Sequence, residues 1–260
     1  MLLEGKVALV TGIGPGLGRE IALLFARHGA SLAIGARSAD RLAAVAAEIE
    51  TLGRPVVART TDLASRDSCR ALVDAALERF GGIDVLVQNG HYDGDYRVVT
   101  ESDPQRWRDI MEVNLFGAFH LVQLVAPSMK ARGDGRIILV GSGASTDPPP
   151  TLGAYAASKA ALQSLVRTIA VELGPAGIRA NGIQLGPMTG EHFRGYVEDL
   201  ARAAGRPYEE ELARWNEQFP LRATPTPAEC AGTALFLASD LARPITGQSI
   251  AVNGGRWFVA

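Results

Sequence analysis

Tyr155 and Lys159 stand four positions apart in GAYAASKAAL, an alanine-rich run whose helix propensity brings both side chains to one face. A phenol, with an ordinary pKa of about 10, is a poor proton acceptor at neutral pH unless a nearby positive charge stabilises its phenolate. Lys159 supplies such a charge, so the pair reads as a tuned acid/base. Upstream, Ser142 ends the apolar run RIILVGS, where its hydroxyl can hold a substrate oxygen by hydrogen bond. Near the amino terminus, TGIGPGLG follows another apolar run and carries Gly12, Gly16 and Gly18 before a helical pattern that begins near Leu17. A glycine turn opening onto a helix amino terminus lets backbone N–H groups and the helix dipole receive a pyrophosphate. Its G-x-x-x-G-x-G spacing departs from the common dinucleotide fingerprint, and Pro15 removes one donor.

Other residues fit the rest of a dinucleotide. Asp62 and Leu63 follow a third apolar run and Asn89 ends a fourth, all placed to meet the adenine and ribose portions. The second run ends IGARS, with Ala36 where an acidic residue would select NAD(H) and Arg37 beside it. A small side chain leaves room for a 2′-phosphate, and a guanidinium can bond it, so the expected cofactor is NADP(H), with NAD(H) as the alternative.

These residues need elements to hold them. Seven short apolar runs, at 6–11, 31–36, 55–60, 83–88, 136–141, 178–185 and 248–253, alternate with longer helical patterns. That alternation predicts parallel strands joined by crossover helices, a doubly wound α/β sheet covered on both faces within one domain of residues 1–260. Ser38 is expected to cap a helix that stops at Gly53, and Asp103-Pro104 and Thr226-Pro227 to start two others. Helices are expected over 104–131 and 153–173. In a parallel sheet, residues 12–18, 89–91, 142 and 186 emerge at the same carboxyl edge and converge there.

The chain has 260 residues, 47% of them hydrophobic, and a formal net charge of −2. This balance gives no electrostatic reason to expect nucleic acid or an anionic membrane as a partner. Cys69 and Cys230 have no metal-ligand or CxxC spacing and read as buried free thiols in a reducing compartment, and no metal site is expected. No basic leader precedes a long apolar region, and no apolar run approaches the roughly 20 residues a membrane span needs. A cytoplasmic protein is expected.

Taken in order, TGIGPGLG, Asn89, Asn114 in VNLFG, Ser142 in IILVGSGAS, YAASK and TGQSIAVNGG resemble the short-chain dehydrogenase/reductase family across essentially the whole chain. The resemblance implies a Rossmann fold and hydride transfer between a nicotinamide and a carbon bearing oxygen, interconverting a secondary alcohol and a ketone. It also implies that Ser142, Tyr155 and Lys159 are catalytic. Asn114 would hold a water that links Lys159 to solvent, Lys159 would bond the nicotinamide ribose, and Gly186 would lie on the nicotinamide side. Segment 188–226 would be the substrate lid. Homotetramers are common in the family, and the apolar 104–131 and 153–173 helices and the ending GGRWFVA suit an oligomer.

The chain departs from the family pattern at QNGH, residues 88–91, where His91 replaces a small glycine, and at Leu185-Gly186-Pro187. His91 either reaches the cofactor or substrate or folds back onto its loop. In the lid, Phe193, Tyr196, Val197 and Leu200 form one apolar stripe, and Tyr208, Leu212, Trp215 and Phe219 form another. With the proline-rich rim 145–153, they suggest a secondary alcohol or ketone on a moderately hydrophobic skeleton, cyclic or not, with nothing to select steroid over fatty acyl, terpenoid or sugar derivative. A dinucleotide sensor without turnover would share the fold and glycine loop, but would have no use for Ser142, Tyr155 and Lys159 together.

Overall fold

A computed structural model describes residues 1–94 and 96–258, so the last two residues of the apolar ending, Val259 and Ala260, lie outside the described residues. The strands are β1 Val7–Thr11, β2 Ser31–Ala36, β3 Val56–Thr60, β4 Val85–Gln88, β5 Gly135–Ser142, β6 Ile178–Leu185 and β7 Ser249–Val252, each within two residues of its expected run. All pair in parallel, in the order β3-β2-β1-β4-β5-β6-β7. The order reverses between β1 and β4, which makes the carboxyl edge there the switch point where doubly wound sheets bind ligands.

Strand side chains alternate between two cores, as a period of two requires. Ala8, Val10, Val85, Val87, Ile138 and Val140 face one core, which is closed by α1 (Leu17–Arg27), α2 (Ala39–Thr51) and α9 (Pro227–Ala238). Leu9, Leu86, Ile137 and Leu139 face the other, closed by α3 (Arg66–Phe80), α5 (Gly117–Arg132) and α6 (Gly153–Leu173). Burial on both faces explains why the strands read as continuous apolar runs.

Helix starts follow the expected caps. Ser38 Oγ accepts from the backbone of Arg41, Asp103 caps α4 (Pro104–Met111) through Gln105, and Thr226 forms a reciprocal capping box with Glu229. Helix α2 stops at Thr51, and Gly53 follows in the left-handed conformation. The expected 104–131 helix is interrupted, with a π turn at Glu112–Phe116 inserted between α4 and α5. The whole 29-residue run Pro104–Arg132 is long and apolar enough to cross a membrane, which corrects the sequence expectation. Its apolar residues include Leu121, Val125 and Met129, which are fully buried beneath the sheet.

Two further helices, α7 (Glu191–Ala204) and α8 (Tyr208–Asn216), lie in the segment 188–226 expected to be a lid. Their stripes pack on each other, with Trp215 meeting Phe193 and Tyr196 edge-on at 5.7 and 5.4 Å between centroids. Cys69 and Cys230 are buried and free, and burial pushes both thiols up to about 11.

Candidate active site

A cleft of about 1000 Å³ opens at the carboxyl edge of the sheet, lined by the segments that follow β1, β2, β3 and β4. It runs from Arg37, Ser38 and Arg41 at the end of β2, past Gly12–Gly14 and Asp62–Ala64, to Asn89–Tyr92 and His192. Of the residues expected to hold a dinucleotide, Gly12, Arg37, Asp62, Leu63 and Asn89 line it directly.

Gly16, Leu17 and Gly18 do not line the cleft but follow the Gly12–Gly14 segment that does. Gly16 is the N-cap of α1 and has no side-chain cap of its own, and its carbonyl accepts from Arg19 N at 3.1 Å. A Cβ on Gly14 or Gly16 would meet nothing within 4 Å, whereas one on Gly12 would fall 2.2 Å from Gly90 N, and one on Gly18 2.3 Å from Gly12 O. Gly12 also has a φ of +74°, which disfavours any side chain. Two glycines thus let the β1 and β4 loops touch, and two others leave the approach to the helix open. Asn89 serves the same junction by donating its side-chain N–H to Gly12 O at 2.9 Å. Asp62 accepts from Ala64 N at 3.0 Å, which fixes the turn into α3. Leu63 closes the cleft floor against Gly90 and Gly117, where added Cβ atoms would lie 2.4 and 2.9 Å from it.

Ser142 is the last residue of β5, and its Oγ accepts from Ala144 N at 3.2 Å. Tyr155 and Lys159 lie on the first turns of α6, one helical turn apart, with Nζ 5.6 Å from the phenol ring centroid. Lys159 is buried, donates to Val140 O at 2.9 Å, and is pushed down by desolvation to about 8. Burial also lifts the Tyr155 phenol above its ordinary value, although the Ser142 hydroxyl pulls it down. The expected lowering of the phenol by Lys159 is therefore not expressed in this conformation, in which desolvation outweighs charge and the ammonium is turned to a carbonyl.

Asn114 sits fully buried in the π turn. Its Oδ1 accepts from Tyr92 N at 2.7 Å, and its Nδ2 donates to Tyr92 O and to Ser158 Oγ, both at 2.9 Å. Both side-chain N–H groups are committed, which leaves one Oδ1 lone pair of the amide to accept from a water. The π insertion turns this residue toward the β4 loop, a rotation that α-helical periodicity does not foretell.

His91 reaches Tyr155 and also contacts Asp93 on its own loop. Its ring meets Tyr155 edge-on at 6.3 Å between centroids, and Nε2 lies 3.5 Å from Asp93 Oδ1. Desolvation and the charge of Lys159 hold its pKa below the ordinary value, and Asp93 opposes them. Gly186 sits across from these groups, its N–H donating to Val252 O at 3.1 Å. Several cleft residues were not foreseen from the sequence, among them Tyr92, Arg106 and two others. Arg41 lines the same cleft as Arg37 from three residues past the Ser38 cap, whereas His192 arrives from α7 with no local signal.

The short chain dehydrogenase family model matches residues 6–201. A 7alpha-hydroxysteroid dehydrogenase of Escherichia coli strain K12 is 36% identical over 253 residues, covering 97% of this chain and 94% of the relative. Among solved structures, L-sorbose reductase from Gluconobacter frateurii, complexed with NADPH and L-sorbose, superposes with a TM-score of 0.92 at 30% identity and covers 98% of both chains. An NAD+-bound xylitol dehydrogenase does so with a TM-score of 0.89 at 29% identity, over 98% of this chain and 100% of its own. Sequence, sheet order and cleft agree: the chain belongs to the short-chain dehydrogenase family and is an NAD(P)-dependent oxidoreductase acting on CH–OH groups.

Proposed function

We propose that this enzyme interconverts a secondary alcohol and a ketone on a moderately hydrophobic, cyclic small molecule, with Ser142, Tyr155 and Lys159 as its catalytic residues and NADP(H) as its preferred cofactor. The observation that carries the reading is the meeting of a serine hydroxyl, a phenol and a buried lysine, with Tyr155 against His91, which lines the cleft of about 1000 Å³.

When bound, the nicotinamide supplies or accepts the hydride. The chain's residues handle the oxygen and its proton. Ser142 Oγ holds the substrate oxygen, and the Tyr155 phenol gives its proton to that oxygen in reduction or takes it back in oxidation. Lys159 lies close enough to stabilise the phenolate once its amine turns from Val140 O, and Asn114 fixes the Tyr92 loop behind it. Residues 12–18 suit a pyrophosphate because Gly14 and Gly16 leave free space before a helix that starts without a side-chain cap.

The cofactor preference rests on Ala36, Arg37 and Arg41. Ala36 ends β2 with no carboxylate to bond ribose hydroxyls, and the two guanidinium groups border the same end of the cleft. We further take the enzyme to be cytoplasmic, with no nucleic-acid or membrane partner.

The test is a panel of cyclohexanone, decalone, a steroid ketone, a β-ketoester and a ketose, each assayed with NADPH and NADH. Turnover of cyclic ketones with a higher kcat/KM for NADPH is expected. Arg37→Ala should weaken NADPH use more than NADH use, and Ala36→Asp should reverse the preference. Cofactor binding without turnover of any panel member would overturn the reading, as would a wild-type preference for NADH in its cofactor part.

A further inference from the structure

Trp257 stands far along the chain from the catalytic residues, yet its indole is seated on the residue that follows Ser142. A Cβ on Gly143 would fall 1.6 Å from the indole Cζ2, and one on Gly186 would fall 3.2 Å from Cη2. The ring therefore fills the volume that side chains at 143 and 186 would take, between the end of β5 and the loop after β6. Neither glycine has a positive φ, so backbone geometry does not demand glycine at either position. The indole accounts for the missing side chain at 143, and it shares that role at 186 with Asn253, whose Cβ would lie 2.7 Å away.

The tail that carries Trp257 is fixed in place. Asn253 donates to Trp257 O at 2.9 Å and accepts from Gly255 N at 2.8 Å. Arg256 stacks its guanidinium 4.4 Å from the ring centroid of Trp215 on α8, which ties the tail to that helix. Among the described residues the Trp257 indole N–H is buried without a hydrogen-bond partner.

We propose that Trp257 is a specificity-determining residue: its indole is the wall against which the substrate's carbon skeleton packs beside the Ser142 hydroxyl, and it sets the bulk of ring system the site admits. This rests on the alcohol/ketone reading above. A large aromatic wall selects strongly, because even one methylene in an apolar pocket changes kcat/KM by about 10- to 200-fold. Removing the indole opens space for roughly one further ring.

The experiment compares wild type, Trp257→Ala, Trp257→Phe and Gly143→Ala. It measures kcat/KM for cyclohexanone and decalone with NADPH, and the NADPH dissociation constant. Trp257→Ala is expected to raise the decalone-to-cyclohexanone ratio at least about tenfold, with NADPH affinity unchanged. Trp257→Phe should shift it the same way by less. Gly143→Ala, which must push the indole from its seat, should also change the ratio. Ratios unchanged in both Trp257 variants would overturn the proposal, and so would a fall in turnover that merely follows lost NADPH affinity. If Trp257→Ala fails to fold, Trp257→Phe carries the comparison. If wild type reduces neither ketone, the cyclic substrate class fails instead, and the same ratio is read on the smallest and bulkiest panel members that it does reduce.

Discussion

At the residue scale, two buried ionisable groups dominate the site, and each carries a measurable consequence. Lys159 is pushed down to about 8 from an ordinary 10.5, so the folded protein holds its proton less tightly than the unfolded chain does. Between those values the unfolded state binds more protons, and stability rises with pH. The burden of burying the ammonium is full below about pH 8 and vanishes above about 10.5. Lys159→Met in the cofactor-free protein is therefore expected to gain on the order of 3 kcal/mol at pH 7, a gain that shrinks as pH rises. Denaturant titrations from pH 7 to 9.5 check this, and a gain independent of pH would contradict it. That window stays below the titration of Tyr155, whose raised pKa acts in the opposite sense above pH 10. Tyr155→Phe removes the transferable proton and leaves the ring, so kcat should fall at least about a hundredfold with cofactor affinity retained. Steady-state rates alongside fluorescence titration with NADPH test it, and near wild-type turnover would remove Tyr155 from the acid/base role.

At the scale of elements, the π turn between α4 and α5 has the clearest structural effect. It buries Asn114 and lets one amide bind both backbone groups of Tyr92 and the Ser158 hydroxyl, joining the β4 loop to α6 near the catalytic pair. Asn114→Ala leaves these groups unpaired, at about 1–3 kcal/mol for each that stays dry. An expected loss of about 2–4 kcal/mol by urea unfolding, with a raised KM in the folded enzyme, compares with a loss of about 1 kcal/mol for Ser158→Ala. Equal effects of the two variants would mean that the Tyr92 bonds contribute nothing. The strands were legible because each is apolar on both faces, and the helix starts because Ser38, Asp103 and Thr226 are caps with local signatures. The convergence of residues 12, 89, 142 and 186 followed from parallel topology alone. The π turn was not legible, since EVNLF continues an ordinary helical pattern. Trp257 was also missed, because its contact with Gly143 joins residues 114 positions apart and leaves only a glycine as its sign. The lid stripes were found, but their partners were not: Phe193, Tyr196 and Trp215 meet each other, a pairing that helical spacing cannot distinguish from ligand contact.

At the scale of the whole molecule, the surface bears apolar groups that the fold itself does not cover. Phe116 and Phe119, at the start of α5, are 44% and 40% exposed, and Val171 near the end of α6 is 76% exposed. These are the two helices whose sequences are apolar around much of their circumference, and each buries one side in the core below the sheet. At the chain's end Phe258 is 84% exposed, close to the tail that holds Trp257. Single exposed apolar residues are ordinary, but large ones recurring on two neighbouring core helices suit contact with a second copy. Pairing across a two-fold axis would let each patch meet its own image, and a second axis through the tail side would give a tetramer. The expectation is a homotetramer at micromolar concentration, measured by light scattering. Phe116→Glu combined with Phe119→Glu should lower the mass by at least half, because burying two uncompensated carboxylates at one interface is strongly unfavourable. Both substitutions lie on exposed positions, so the fold should persist and circular dichroism should be unchanged. A monomeric wild type would overturn the tetramer, and a tetramer that survives both substitutions would move the contact away from α5.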